Sequence, residues 1–320
     1  MAHVDHIERD ARFGPLSVMR RRRISSRGRE AIECYVFMLP AILGLLLFYL
    51  GPMIASFYFS FTDYDMLSAA EWIGLANYRA LLDDEIFWTS LRVTVMYSVI
   101  SVPLVLAVAL GLALLLNQRF RGVTFFRTVY YLPTVMSGVA VATLWRWIFN
   151  ADYGILNLLL EKIGIRGPAW LVDEQWAIWA LILTSLWTVG GSMLIFLAGL
   201  QSIPQDLYEA AMIDGAGIWS KFRNITIPLI SHVTFFNLVL GIIGALQVFT
   251  EAFVLTGGGP NNSTLLLSVY LYRNAFEYLK MGYASAIAWV MFLIVLVLTL
   301  VVFKSAPMWV HYQESQEGRR

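Results

Sequence analysis

The chain has 320 residues, of which 58% are hydrophobic and only 14% charged; a soluble domain carries roughly a quarter charged residues to cover its surface, so the composition points to a membrane protein. The net charge of +1 gives no electrostatic footprint for nucleic acid, and no nucleic-acid partner is expected. A single cysteine, Cys34, cannot form an internal disulfide, and the four scattered histidines (His3, His6, His232 and His311) supply no metal site.

In chain order, residues 1–33 form a basic tail with Arg9, Arg12, Arg20, Arg21, Arg22, Arg23, Arg27 and Arg29. The tail resembles the start of a signal peptide, but the apolar run after it is too long for a signal core and no A-x-A-like site follows. It reads as the inside anchor of an uncleaved first helix, with Arg20–Arg23 available to anionic lipid. Crossing about 30 Å of hydrocarbon takes about 20 apolar residues in a helix. Six charge-free runs meet or approach that length: 34–62, 93–118, 128–145, 175–205, 224–250 and 281–303. The third continues through Arg146 to Phe149, with Trp145 and Trp147 flanking the charge as interface residues do. A seventh apolar stretch, 252–272, is interrupted by Gly-Gly-Gly-Pro-Asn-Asn-Ser at 257–263. That sequence would leave backbone groups unpaired in lipid, so it reads as an external loop. The expected fold is an all-α integral membrane protein of six transmembrane helices.

Orientation follows from Lys and Arg in the short loops. Arg119, Arg121 and Arg127 follow the second run, and Lys304, Arg319 and Arg320 follow the sixth. The stretch 63–85 after the first run holds Asp63, Asp65, Glu71, Asp83, Asp84 and Glu85 against one Arg79. Both termini are therefore expected in the cytoplasm of a multi-pass cell-membrane protein. The domain plan is a tail at 1–33, a permeating domain at 34–304 and a second tail at 305–320.

One polar stretch interrupts this pattern. Residues 208–229 hold Glu209, Asp214, Lys221 and Arg223, a Gly-x-Gly turn at Gly215 and Gly217, and Pro228. Ser202, Pro204 and Gln205 have the form of a helix start, and Asp206 and Glu209 lie near its positive end. Gly215 stands where a left-handed residue ends the helix. A second short helix is expected over about 216–224. The result is a tight elbow with small alanines on one face and Tyr208, Ile218, Trp219 and Phe222 as apolar anchors. The plain alternative is a hairpin that only connects the fourth and fifth runs.

Glu209-Ala210-Ala211, three residues, Gly215, nine residues, then Ile225-Thr226-Ile227-Pro228 resembles the EAA signature of permease subunits of ABC importers. The usual closing sequence is Ile-x-Leu-Pro, and Ile227 replaces its leucine. The stretches 38–65, 72–88, 130–157 and 256–264 are similar to the sugar branch of the family, the maltose and glycerol-phosphate importer permeases, and fit the larger maltose-type permease better than its smaller partner. The large external insertion and extra N-terminal spans of some such permeases are absent.

The resemblance implies the type I importer permease fold, with 202–228 as cytoplasmic coupling helices. It implies that Glu209, Ala210, Ala211, Asp214 and Gly215 contact a cytosolic ATPase. The implied partners are a second homologous permease forming a heterodimer, two ATPase subunits and an extracytoplasmic solute-binding protein that delivers a sugar. No G-x-x-x-x-G-K-[ST] loop occurs, so no cofactor is expected on this chain; ATP and Mg would belong to the ATPase subunits. No catalytic cluster is visible, and the chain is not expected to be an enzyme.

The rival class is an ion-coupled secondary transporter of a polar solute. Such proteins carry ionisable groups deep in their spans, whereas here only Arg146 and Glu251 touch span ends. Since sugars need hydrogen-bonding groups and an aromatic face, the candidate cavity residues are Thr184, Trp187, Thr188 and Gly191 at helical spacing on the fourth run. Gln247 and Glu251, taken as i, i+4 on one face of the fifth, complete the set. The resemblance places the translocation cavity among the third to sixth spans.

Overall fold

A computed structural model describes residues 26–118 and 120–311. Arg9, Arg12, Arg20–Arg23, Arg119, Arg319 and Arg320, on which the orientation partly rests, lie outside the described residues. The chain divides into two compact units, Met1–Ile54 and Ala55–Arg320.

In the first unit, helix α1 (Ser26–Leu45) begins eight residues before the apolar run and leads through a π-helical turn, Leu46–Leu50, into α2 (Gly51–Phe59), within which the unit ends at Ile54. The π turn ends two residues before Pro52. A proline inside a helix has no N–H to donate and its ring presses on the carbonyl four residues back; a one-residue bulge relieves both. The same device recurs at Phe222–Thr226, two residues before Pro228.

In the second unit, a short antiparallel hairpin, β1 (Thr62–Asp63) and β2 (Glu71–Trp72), precedes α3 (Ala76–Asp83). Asp84 then caps α4 (Glu85–Leu116): its Oδ1 accepts from the Ile86 and Phe87 amides at 2.9 and 3.2 Å, satisfying two of the four free donors of a helix start. At 32 residues and a rise of about 1.5 Å per residue, α4 is the long central helix. Its Ala109, Ala113 and Leu116, at turn spacing, pack against Met193, Phe196 and Leu200 in one buried cluster.

The third apolar run is two helices rather than one. α5 (Val123–Val135) ends at Met136 and Ser137, both extended, and α6 (Gly138–Ile148) starts afresh. The halves serve different neighbours, α5 packing on α9 (Gly190–Gln201) and α6 on α14 (Thr250–Leu255). A Cβ at Gly190 would lie 2.3 Å from the Tyr130 carbonyl oxygen, so α5 and α9 meet backbone to backbone. After α7 (Ile155–Lys162), α8 (Glu174–Trp187) and α9 form the fourth run, bent by 47° at Thr188 and Val189.

Next come α10 (Gln205–Ile213), α11 (Ile218–Lys221), the second π turn, α12 (Ile227–Leu229) and α13 (Ser231–Leu246). α13 is separated from α14 by an irregular step at Gln247–Phe249. The Gly-rich stretch after α14 folds as turns, with Gly257, Gly258, Asn261 and Asn262 at positive φ, as its composition requires. α15 (Leu267–Tyr272), a third π turn (Arg273–Glu277) and α16 (Met281–Trp309) complete the chain.

Among the described residues, four helices are long and apolar enough to cross a membrane: Glu33–Phe59, α4, Ser231–Leu255 and α16. The bent α8–α9 pair is a fifth if it counts as one span. The third run, expected as one of six transmembrane helices, is thus two helices, because two neighbours draw one apolar sequence in two directions.

Candidate functional site

The elbow between α9 and α13 is built by local rules. α10 ends in a complete Schellman motif: Gly215 takes φ +77°, its amide donates to Met212 O at 3.0 Å, and the Ala216 amide donates to Ala211 O at 2.8 Å. The expected cap at Ser202 is not formed. Its hydroxyl donates backward to Gly199 O at 2.8 Å and the residue closes α9, while the extended backbone of Pro204 starts α10. The second short helix also does not stop near Asn224; it runs through the π turn toward α12.

Two contacts make the elbow stiff. The Tyr208 hydroxyl meets the Thr226 hydroxyl at 3.0 Å, tying α10 to the π turn. Ile203 and Ile230 are buried in the cluster that holds Leu200 and α4, so both ends are fixed to the bundle. Glu209, Ala210, Asp214 and Gly215 are exposed and Ala211 is half-buried. Around them Ile213, Ile218 and Trp219 are 87%, 85% and 69% exposed. Large apolar side chains on a braced polar segment are the composition of a docking surface.

A second site lies inside the bundle. A cavity of ≈ 230 Å³ is lined by Tyr97 and Ser101 of α4, Ser185 of α8, Thr188 at the bend, Ser192 of α9 and Asn237 of α13. Gly241 and Gly244 open the α13 wall. The chain is broken around it. Thr188 belongs to the α8–α9 bend, and Val248, from the α13–α14 break, is also a lining residue. The Val248 carbonyl, free of helical partners, accepts from the Ser268 hydroxyl. In a protein embedded in hydrocarbon, irregular backbone is tolerated only where protein buries it or a cavity faces it.

Of the residues singled out from the sequence, Thr188 lines this cavity and the other five do not. Thr184 is buried with its hydroxyl on Ala180 O at 2.9 Å. Trp187 is 42% exposed and meets Trp145 edge-on, ring centroids 5.7 Å apart. Gly191 is half-buried beside open space. Gln247 is exposed and closes α13, whereas Glu251 is half-buried in the first turn of α14. The chain break puts these two on different helices, so the shared i, i+4 face does not exist. A Cβ at Gly138 would stand 3.4 Å from Thr250 Cγ2 and 3.7 Å from Glu251 Oε1, which sets Glu251 toward α6.

Sequence reasoning missed Tyr97, Ser101, Ser185 and Asn237. Their signal was periodic: Tyr97 and Ser101 are one turn apart, Ser185, Thr188 and Ser192 follow at three and four, and Asn237, Gly241 and Gly244 repeat that spacing. Among the described residues, no group of three His, Cys, Asp or Glu side chains could hold a metal ion.

Residues 104–306 match the family of binding-protein-dependent transport system inner membrane components. The chain is 46% identical over 294 residues to the probable ABC transporter permease YesP of Bacillus subtilis, covering 90% of this chain and 95% of that one. It is 37% identical to the trehalose/maltose transport system permease MalF of Thermococcus litoralis, covering 86% and 94%. A crystal structure of a bacterial alginate ABC transporter, in complex with a periplasmic protein holding an alginate pentasaccharide, contains a chain of the same fold. Its TM-score is 0.77 at 25% identity, covering 87% of this chain and 95% of that one.

Proposed function

The chain belongs to the binding-protein-dependent transport system inner membrane components, and from that premise we propose that it is the permease subunit of an ATP-driven sugar importer. Saccharide as cargo is supported by the trehalose/maltose and alginate names of its relatives and by the hydroxyl-rich lining of the bundle cavity. The transported solute arrives on an extracytoplasmic binding protein and leaves into the cytoplasm. A second, homologous permease completes the path as a heterodimer, and two cytosolic ATPase subunits, carrying ATP and Mg, supply the energy.

The observation that carries this reading is the elbow. Glu209, Ala210, Ala211, Asp214 and Gly215 stand on a braced turn rimmed by exposed Ile213, Ile218 and Trp219. A connector would need no such rim, while a surface that receives a push from another protein needs both stiffness and apolar anchors. The six-span topology is kept, with the broken α5–α6 pair as the third span and α8–α9 as the fourth. Both termini and the elbow face the cytoplasm, and the Gly257–Gly258 turns face out. Discontinuous spans meeting at a cavity are how transporters expose backbone and side chains to a polar cargo. At ≈ 230 Å³ the cavity is smaller than the roughly 300–1,000 Å³ of small-ligand sites, so helix movement or the second permease must enlarge it during transport.

The test is uptake of trehalose, maltose and lactose into proteoliposomes holding the full complex and its binding protein. Uptake that requires ATP and ignores a collapsed ion gradient is the expected result. Uptake that survives without ATP and stops with an ionophore would establish the ion-coupled alternative instead. Reporter fusions after Gly258 and Gly215 should read outside and inside respectively.

A further inference from the structure

A second polar cavity, of ≈ 390 Å³, lies at the start of α4 and α16 and is lined by Asp63, Tyr64, Asn77, Asp84, Tyr270, Asn274, Lys280 and Tyr283. Its back wall is fixed by hydrogen bonds. Asp84 Oδ2 accepts from the Tyr283 hydroxyl at 2.5 Å and from the Tyr270 hydroxyl, joining α4, α15 and α16. The Asn77 amide donates to Thr62 O at 2.9 Å and Ser60 O at 3.1 Å, fixing the β1 strand to α3. The Gly282 amide donates to Tyr64 O at 3.0 Å. A Cβ at Gly282 would lie 2.1 Å from Thr62 O, so glycine alone permits α16 to close against β1.

The front of the cavity is different. Among the described residues, the Asp63 carboxylate and the Lys280 ammonium form no ion pair or hydrogen bond, and both are exposed. Lys280 is set in place by a sharp turn: Leu279 takes φ +54° and the Lys280 amide donates to Asn274 O at 2.8 Å. Left-handed leucine costs about 1–2 kcal/mol. The Tyr64 ring is stacked on Phe59, centroids 4.6 Å apart and 19° between planes, so a second ring stiffens it. A fixed wall of tyrosines and amides faces an unspent acceptor, an unspent donor and a backed aromatic ring. The two carboxylates and one ammonium leave a charge near −1, which disfavours anionic ligands.

We infer that this cavity is an outer saccharide subsite, formed by Asp63, Tyr64 and Lys280 on the wall held by Asp84, that takes a neutral sugar between the binding protein and the cavity in the bundle. The inference rests on the sugar-importer reading and on the outward placement of the β1–β2 hairpin. Sugar hydroxyls both donate and accept, which suits Asp63 and Lys280 together, and the apolar face of a pyranose suits Tyr64. The volume lies within the range of small-ligand sites, unlike that of the bundle cavity.

The experiment is saturation-transfer NMR on the full transporter complex in nanodiscs, with maltose, trehalose and lactose as probes, alongside ATP-driven uptake. Wild type should give sugar signals that fall about fivefold in Tyr64→Ala and in Lys280→Ala, the loss of one ring face or one hydrogen bond. Tyr64→Phe, which keeps the ring, should retain them, and Ser192→Leu should leave the outer contribution intact. Signals unchanged in Tyr64→Ala and Lys280→Ala but abolished by Ser192→Leu would overturn the outer subsite and leave the sugar reading standing. Absence of signal in wild type also overturns the subsite. Persisting uptake in that case preserves the importer reading, and its loss for all three sugars removes both.

Discussion

The elbow at 205–229 and the bundle cavity are made in opposite ways. The elbow is one stretch of consecutive residues, closed by a Schellman turn at Gly215 and braced by the Tyr208–Thr226 contact. The cavity takes its polar groups from four helices, two of them ending or bending at its wall. A part that receives force must keep its shape while a neighbour pushes on it, and short-range hydrogen bonds do that. A part that passes cargo must come apart and close again, and walls drawn from separate helices allow it. The contrast predicts separable defects: changes in the cavity spoil transport without loosening the ATPase, and changes in the elbow loosen or uncouple the ATPase while leaving sugar binding intact.

The largest effect should come from filling the cavity. Ser192→Leu places an apolar side chain in ≈ 230 Å³, and ATP-driven sugar uptake should fall roughly a hundredfold, about 2.7 kcal/mol of barrier. Co-purification of the ATPase should not change. A variant that lost its ATPase as well would break the contrast. Glu251→Ala or Trp187→Ala should reduce uptake roughly tenfold, again with assembly intact. Because both residues stand beside rather than in the cavity wall, normal transport in both would confine the cargo path to the cavity lined by Ser192 and Asn237.

Asp84 sharpens the comparison from a third place, since it joins the starts of α4 and α16 without entering either region. Burial works to raise its pKa, but hydrogen bonds from Tyr270, Tyr283 and the Phe87 and Ile86 amides outweigh it and hold the carboxyl below its ordinary 3.8. A group with a depressed folded-state pKa contributes stability above its unfolded value and loses it as pH falls through the folded one. Wild-type melting should therefore hold steady from about pH 7 to 5 and weaken below about 3.8. Asp84→Asn should melt lower throughout, by roughly 1–3 kcal/mol, with a flatter acid limb. An unchanged acid limb would remove Asp84 from this role. The smallest effect is expected for Tyr208→Phe, which deletes one hydroxyl contact worth about 1 kcal/mol. ATPase stimulation should drop a few-fold while sugar binding stays at the wild-type level.

The same contrast explains what could be read before the structure. Gly215 and the spacing from Glu209 to Pro228 announce the elbow because its turn is closed by residues within six positions of each other, whereas the Tyr208–Thr226 brace joins residues 18 apart. Ser202 was misread because Pro204, extended and without an amide proton, takes over the start of α10 and leaves the serine to α9. The third run looked like one helix because hydrophobicity does not record which neighbour each half packs against; Ser137-Gly138 just after Pro133 was the available warning. Gln247 and Glu251 looked like one face because the break between them is satisfied by Ser268, twenty residues past Val248. No local pattern reports such a partner. The cavity's polar residues were visible at helical spacing, but spacing alone does not say that four helices turn those faces toward one another.

The central claim is that the braced elbow conveys ATPase motion to the bundle, and Gly215→Val tests it most directly. A β-branched residue at φ +77° costs about 1–2 kcal/mol or more and opens the Schellman turn. The measurement is ATP hydrolysis by the reconstituted complex with sugar-loaded binding protein, together with the amount of ATPase retained on the tagged permease, for wild type, Gly215→Val and Glu209→Lys. Both variants should insert and bind sugar as wild type does, yet retain less ATPase and lose at least about tenfold of the stimulated hydrolysis. Full retention and normal stimulation in both would reduce the elbow to a connector and contradict the account.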